Sequence, residues 1–455
     1  MSLGRRRQEE QEVWIATTDL PKSPGHVFYR KLNSLLAEAA FDRFAEALCT
    51  PYYARDVGRR GIPPGVYFRM LLVGYFEGIA SQRGIAWRCS DSLSLREFLG
   101  LAATEDSPDH SSLTKIRERL PLEIHAAVFQ FVLQLAAQKK LLQGKTVAVD
   151  ATTLEANAAM KSIVRRDTGE DWKDYLKRLM QEEGLIDKDD EPTDEDLRRF
   201  DKGRKNKKVS NDEWVSPTDC ESRITKMKDG TTHLAYKAEN VVDLETDLIL
   251  AAEVYEADHA DTDTMVDSVM QAQTHLSEAK IDARIEEVAA DKGYHAAQTL
   301  ALADALNLRT YIPEPERKGQ RRWIDKPLEY QQAVYNNRRR TQRDKGRRMQ
   351  RTRSELVERS FAHMCETGGA RRTWLRGLEK VHKRWLIQAA ARNLGLIMRT
   401  LFGIGTARAM QAEGDFTLRL QIPWFIALDH HWRNVRDVAL RVILSAPAER
   451  FALVA

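Results

Sequence analysis

The sequence predicts an α/β protein in which an all-helical N-terminal segment precedes a mixed sheet. Three observations carry that prediction. Residues 25 to 140 set apolar side chains three and four positions apart, the period of a helix face. At Thr146 the pattern switches to short β-branched and apolar runs bounded by turn residues. From there strand-like and helix-like runs alternate, the order of crossover units built around a sheet.

The elements follow in chain order. PPGVYFRMLLVGYFEGIAS opens on Pro63 and Pro64, residues suited to a first helical turn. SSLTKIRERLP predicts a helix following Ser111 and Ser112 and stopping at Pro121. LEIHAAVFQFVLQLAAQKKLL gathers Ile124, Val128, Phe131, Val132 and Leu135 on one face, as a buried helix does. TVAVDATT reads as a buried strand with Asp150 at its end. Residues 161 to 215 are so densely charged that they read as an inserted, solvated, partly helical segment rather than core. HLAYKAENVVD and DLILAAEVYEA are strands joined in an antiparallel hairpin through Leu244 to Asp247. HADTDTMVDSVMQAQTHLSEA is a helix, IEEVAADKGYH a strand and turn, AAQTLALADALN a helix and RTYIPEP the last strand. RSELVERSFAHMCETGG is a helix closed by Gly368 and Gly369, and VHKRWLIQAAARNLGLIMRTLF is a long helix packed on the rest.

Strand, strand, strand, helix, strand, helix, strand, helix is the layout of an RNase H-like domain. The predicted division is a helical domain over 1–140 and an RNase H-like domain over 141–403. The latter is interrupted by the charged insertion at about 161–215 and a basic connector at about 316–353. A tail over 404–455, containing TLRLQIPWFIALDHHW, has no place in this scheme.

Hydrophobic residues make up 42% of the 455, enough for substantial cores, and the net charge of +4 says little about partners. The distribution of charge says more. Fourteen basic residues lie between Arg317 and Arg353, opposed within the run by Asp325, Glu329 and Asp344. They include Arg321, Arg322, Arg338, Arg339, Arg340, Arg351 and Arg353, which are candidate DNA-backbone contacts together with Lys292. Unpaired cations are too costly to bury, so such a run faces water or a polyanion. Cys49, Cys89, Cys220 and Cys365 are scattered and form no CxxC pair, so neither a zinc site nor a disulfide framework is predicted. MSLGRRRQEEQEVW lacks the apolar stretch of a signal peptide, and no apolar run approaches the ~20 residues of a membrane span. A soluble cytoplasmic protein, associated with the bacterial nucleoid, is the expectation.

Asp150 closes the apolar run VAVD, and Asp291 closes VAAD. An acid leaving a buried strand stands at the sheet edge, where the crevice of an α/β fold lies. Glu358 sits in the helix after the last strand, one position round from the stripe Val357, Phe361 and Met364, where partial solvation is expected. A lone Asp at a strand end is usually a cap, and a lone helical Glu is usually solvated. Three acids on three such elements point instead to a site that holds two divalent cations about 4 Å apart for phosphoryl transfer.

At these residues the sequence resembles bacterial insertion-sequence DDE transposases, in the branch with a helical N-terminal domain. The similarity runs from WIATTDLPKSPGHVFYRKLN to at least RNLGLIMRTL. It is carried by PPGVYFRMLLVGYFEGIASQRGIAWRCSDSLSLREFLGL, SPDHSSLTKIRERLP, VAVDATTLEANA, RITKMKDGTTHLAYKAENVVD, HADTDTM, ADKGYHA and VERSFAHMCETGGARRTWLRGLEKV. The resemblance implies that Asp150, Asp291 and Glu358 are the catalytic acids and metal ligands, with Mg²⁺ or Mn²⁺ as cofactor. It implies DNA as substrate, both the terminal inverted repeats and the target, and paired ends call for a homodimer in the active complex. Some relatives place a Tyr, an Arg and a Lys around the final acid. Here Arg351, Ser354 and Cys365 hold those positions, leaving Arg351, Arg353 or Arg359 as substitutes.

Other constellations in the sequence carry two readings each. His259, Asp261 and Asp263 read as metal ligands or as caps of the helix they begin, with capping favoured. Lys292 reads as a phosphate contact or a surface lysine, and Trp323 as a base-stacking or a core residue. No P-loop occurs, so no ATP requirement is predicted. The predicted reaction is attack by water and then by the freed DNA 3′-hydroxyl. Alternatives are an RNase H-like nuclease that cuts without joining, and an inactive relative that only binds DNA.

Overall fold

The structure is a computed structural model and describes residues 16, 25–54, 61–102, 104–205, 208, 210–227, 230–316, 319 and 323–407. Arg317, Lys318, Arg321 and Arg322 of the basic run lie outside the described residues, as does TLRLQIPWFIALDHHW. The described residues fall in one compact unit that ends at Ala407.

Seven helices come first: α1 (Gly25–Glu38), α2 (Phe41–Cys49), α3 (Pro64–Glu77), α4 (Gln82–Asp91), α5 (Leu93–Leu99), α6 (His110–Arg119) and α7 (Leu122–Gln138). α3 forms where its prolines predict, with Pro63 as extended N-cap, and Gly78 ends it in the left-handed region at φ 68°. α6 starts earlier than Ser111 and Ser112 suggested. The Asp109 carboxylate accepts from the Ser111 N–H (2.8 Å) and so takes the cap, drawing both serines into the helix. In α7 all five residues of the predicted stripe are buried, each worth about 1.5–3 kcal/mol of transfer from water.

The main sheet is built from β1 (Thr146–Glu155), β4 (Arg223–Lys226), β5 (Thr232–Asp243), β6 (Ile249–Glu256), β7 (Glu287–Ala289) and β8 (Arg309–Tyr311). β5 pairs antiparallel with β1 on one side and with β6 and β4 on the other. β1 then pairs parallel with β7, and β7 parallel with β8. This is the predicted RNase H-like order. The short edge strand β4 was not read from the sequence, because RITK is too short and too charged to show a period. The hairpin turn between β5 and β6 is closed by Asp243, whose carboxylate accepts from Glu245 N–H and Thr246 Oγ1 at 3.0 and 2.8 Å.

One strand end differs from the sequence reading. β1 does not stop at Asp150 but runs on to Glu155, because β5 keeps pairing with it from Asp150↔Asn240 to Glu155↔Ala235. Its parallel partner β7 stops at Ala289, opposite Ala148. Asp150 therefore marks the end of the parallel half of the ladder rather than the end of its strand.

Between β1 and β4 lies the insertion, with β2 (Val164–Arg165) paired to β3 (Trp214–Val215), and α8 (Trp172–Glu182) and α9 (Asp194–Gly203) between them. It is partly helical and largely solvated, and it has a small core of its own. Leu176, Met180 and Leu197 are buried, with Trp172, Tyr175, Leu179, Ile186 and Phe200 packed against them.

α10 (Asp261–Glu278), α11 (Ala297–Ala305), α12 (Leu328–Gln342), α13 (Asp344–Ala362) and α14 (Leu378–Phe402) complete the fold. The predicted basic connector is largely helical, α12 and α13 meeting at Arg343, whose extended backbone breaks the run. α13 passes into a π turn at His363–Thr367 before Gly368 and Gly369. α14 packs on α7, α3 and β6, so it links the helical segment to the sheet. Among the described residues, no single helix is long and apolar enough to cross a membrane.

Candidate active site

The last parallel couple of β1 and β7 is Ala148 with Ala289, and the second residue beyond it on either strand is an aspartate, Asp150 or Asp291. The two strands part there. β1 continues along β5, while the other chain turns into a 3-10 turn at Lys292–Tyr294. That opening is the crevice an α/β sheet offers at the carboxyl ends of its strands. Burial raises the Asp150 carboxyl above its ordinary value, and the negative charge of Asp291 adds to the rise. Arg353 of α13 works against it, its guanidinium donating to Asp150 Oδ2 at 2.8 Å. Asp291 caps its own turn by accepting from Gly293 N–H at 2.7 Å.

Gly293 sits in a narrow space between two side chains. A Cβ there would stand 2.9 Å from Asp261 Oδ2 and 3.0 Å from Asp291 Oδ1. Two carboxylates thus flank Gly293, and Asp261 was favoured in the sequence as a helix cap. α10 receives no side-chain cap. Instead Asp261 pairs with Lys237 Nζ at 2.8 Å, which is also 3.5 Å from the buried Glu239. Glu239 is fully buried and accepts from Tyr294 OH and Thr264 Oγ1 (both 2.8 Å) and from Ser268 Oγ (2.5 Å). Because Tyr294 belongs to the Asp291 turn, Glu239 fastens that turn to β5 and α10. Sequence reasoning missed Lys237, Glu239 and Asn240. The signal was present in YKAEN, where charged and amide residues stand within an otherwise apolar strand and are buried with it.

On the other face of the sheet, Asn240 stands opposite Asp150 and binds α13 and α14 to the strand. Its Oδ1 accepts from Trp385 Nε1 (3.0 Å), and its Nδ2 donates to Ser360 Oγ (3.3 Å). Val357, Phe361 and Met364 are buried as predicted. Glu358 is exposed rather than half-buried, and it accepts from Ser354 Oγ at 2.9 Å. The helix turns its sheet-facing side through Gln350, Arg353 and Val357, which leaves Glu358 on the solvent flank. The three acids do not form one cluster. Among the described residues, the group of three acid and imidazole ligand atoms that all lie within 4.8 Å of one another is that of Glu256, Asp258 and His259. Two carboxylates of that group are already paired with Arg223, at 2.6 and 3.4 Å.

A family profile described as "Transposase domain (DUF772)" matches residues 18–119, and one described as "Transposase DDE domain" matches residues 313–398. Neither curated proteins nor solved structures gave a match. The chain belongs to the insertion-sequence DDE transposases. Members of this family act on DNA with a divalent metal. In this transposase the second matched segment spans α12 to α14 and contains Arg353 and Glu358, whereas Asp150 and Asp291 lie outside both segments.

The transposase's basic residues divide by their partners. Arg338 makes a bidentate pair with Glu314 (2.8 and 3.0 Å), and Arg340 donates to Thr310 O (3.0 Å) and lies 3.3 Å from Asp304. Both therefore seat α12 against the sheet. Lys345 pairs with Glu287 at 2.5 Å, and Arg353 with Asp150. Arg339 is exposed and donates only to Asn336 among the described residues. Lys292, Arg343, Arg348 and Arg351 are exposed with no ion pair there. Trp323 stands 6.0 Å from the Tyr335 ring, a contact against α12.

Proposed function

We propose that this transposase cleaves DNA at the ends of its insertion sequence and joins the freed 3′ ends to target DNA, with Asp150, Asp291 and Glu358 as its metal ligands. The observation that carries the reading is the placement of Asp150 and Asp291 at one position of two adjacent strands, in the crevice where the parallel ladder opens. The residues there suit a divalent cation. The donors are hard carboxylate oxygens, and burial together with the charge of Asp291 disfavours the ionised form of Asp150, which a cation relieves. Asp261, across Gly293, supplies a further carboxylate to the same crevice. When bound, Mg²⁺ or Mn²⁺, as a pair of ions, supplies activation of the attacking oxygen and stabilisation of the leaving one.

The chain's own residues supply the rest. Glu239, through Tyr294, keeps the Asp291 turn in place. Asn240 and Gln350 hold α13 over the crevice. Arg353 neutralises Asp150 and must release it for that carboxylate to act as a ligand. Lys292 and the unpaired arginines of α13 face water, free to take DNA phosphates. Glu358 reaches the crevice by a rotation of its side chain away from Ser354. Two copies of the chain hold the two terminal repeats.

The test is metal-dependent cleavage of an end substrate by D150N, D291N and E358Q. Even groups that only orient metal ligands are worth roughly 10- to 100-fold, so losing a ligand should cost about 100-fold or more while DNA binding persists. Near wild-type cleavage by E358Q would remove Glu358 from the site and leave Asp261 as its replacement. The Arg353–Asp150 pair supports a second reading, a DNA-binding relative whose site stays closed. In that case neither the wild type nor R353Q cleaves any DNA in Mg²⁺ or Mn²⁺.

A further inference from the structure

Far from the acids, a cavity of about 260 Å³ opens between the helical segment and α14. Its wall holds Arg117, Lys383 and Arg384 and no aspartate or glutamate. Lys383 is partly compensated by Glu379 at 2.5 Å, and Arg384 donates to the carbonyls of Gly369 and Arg372. Arg117 has no such relief. It is 9% exposed, and its guanidinium has no hydrogen bond or ion pair among the described residues, with Nε orphaned. Two further orphans line the same cavity, Gln82 Nε2 as a donor and Gln388 Oε1 as an acceptor. Native proteins rarely leave a buried cation and two buried amide atoms unsatisfied, and here the three residues that carry them line one space.

The surroundings respond to this positive charge. Burial, helped by Lys383 and Arg117, lowers His125 to about 3, and burial with Arg117 lowers Arg384 to about 10. Water would satisfy the hydrogen bonds but not the charge. An anion that both accepts from Arg117 and Gln82 and donates one proton to Gln388 satisfies all three.

We propose that this cavity binds a phosphate group carrying a free hydroxyl, as inorganic phosphate or as the 5′-terminal phosphate of a DNA strand. Inorganic phosphate keeps a P–OH near neutral pH and a phosphate monoester keeps one below about pH 6, whereas sulfate has no proton to give to Gln388. The mouth favours a strand end as one source. Trp374, 54% exposed, stands at the rim with Arg372 over its ring at 5.4 Å. The backbone of this segment binds the tip of β1, Thr373 N–H donating to Glu155 O at 2.9 Å. Glu155 is five residues from Asp150 on β1, about 17 Å at the rise of a strand. The inference does not depend on the assignment of the catalytic acids.

The test uses the full-length, metal-free protein and its D150N variant at fixed ionic strength. Binding of inorganic phosphate, sulfate, a short 5′-phosphorylated oligothymidine and its unphosphorylated counterpart is measured by calorimetry and thermal shift. Phosphate should bind saturably and more tightly than sulfate, equally well in D150N. R117L should weaken it by roughly 10- to 150-fold, the worth of a hydrogen bond to a charged group. Q388L, which alters no charge, should abolish the preference over sulfate. Tighter binding of the phosphorylated oligonucleotide than of its counterpart identifies a strand end, and equal weak binding of both identifies the free anion. Absence of saturable phosphate binding by the wild type, or binding that R117L and Q388L leave unchanged, overturns the proposal.

Discussion

The insertion and the α12–α13 region carry similar densities of charge in the sequence, yet the structure uses them in opposite ways. In the insertion the charges cancel one another locally. Arg178 pairs with Glu170 and Glu182, Lys173 with Asp194, Lys177 with Glu191 and Arg204 with Asp201. These pairs surround a small apolar core. In α12 and α13 several paired residues reach outward to the sheet, Arg347 and Arg359 pair locally with Asp344 and Glu355, and others have no ion pair among the described residues. Arg338, Arg340 and Lys345 hold the helices down, while Arg343, Arg348 and Arg351 project into solvent. Charge density alone therefore does not mark a nucleic-acid surface. What marks it is cations left over after the fold has used those it needs.

The largest effect expected from this contrast lies in the insertion. If its folding rests on the apolar cluster, L176A should cost roughly 2–5 kcal/mol and open this segment to proteolysis, with little change in the sheet. Limited proteolysis and hydrogen exchange read this directly. An insertion that stays protected in L176A would mean that its ion pairs, not its core, hold it.

A carboxylate of the sheet that no arginine neutralises gives the next effect. Glu253 is pushed up to about 7 by burial and by Glu239 opposite it on β5. The folded chain thus keeps this proton above the unfolded value of about 4.3. Stability from this group is full below that value and falls as pH rises through about 7, by about 4 kcal/mol. His382, 3.4 Å away, is lowered to about 4 by burial and stays neutral through most of that window. Denaturant titrations of the wild type and E253Q between pH 4 and 8 check this, the variant losing the slope (pH range on the order of the shift). Equal slopes would remove Glu253 from the balance.

Salt dependence of DNA binding divides the basic helices. The variant lacking Arg343, Arg348 and Arg351 should lose up to about three units of the log–log salt slope, whereas the variant lacking Arg338, Arg339 and Arg340 should lose about one, from Arg339. The second variant should instead lose thermal stability, because Arg338 and Arg340 seat α12. Equal slopes in both variants would return the DNA surface to the whole basic run. Smallest of all, R178A in the insertion should change stability by no more than a few tenths of a kcal/mol, a difference that added salt erases.

Much of this was legible in the sequence. The apolar periods located α3, α7, α10, α13 and α14, and the β-branched runs located β1, β5, β6, β7 and β8, because those signals record which side of an element must leave water. The acids Asp150 and Asp291 could be picked out for the same reason, each breaking an apolar run at a point where burial ends. The edge strand β4, the basic helix α12 and the core of the insertion were missed. β4 is too short and α12 too charged to show an apolar period, whereas Trp172, Tyr175, Leu176, Leu179 and Met180 of the insertion stand at helical spacing and are masked by the charge around them.

By itself, then, the sequence determined the RNase H-like order of elements and the family, and it singled out Asp150 and Asp291 as the acids that follow two apolar strand runs. Only the tertiary structure decided how those residues are used. It placed Asp150 within a strand, because β5 is long enough to go on pairing after β7 has ended. It turned Asp261 from a cap into a neighbour of Asp291, joined Arg353 to Asp150, and left Arg117 without a partner beside a cavity. Hydrophobic periodicity is a local property and is written along the chain. The partner of a charge is a neighbour across the fold, often a hundred residues or more away, and one-dimensional spacing carries no record of it.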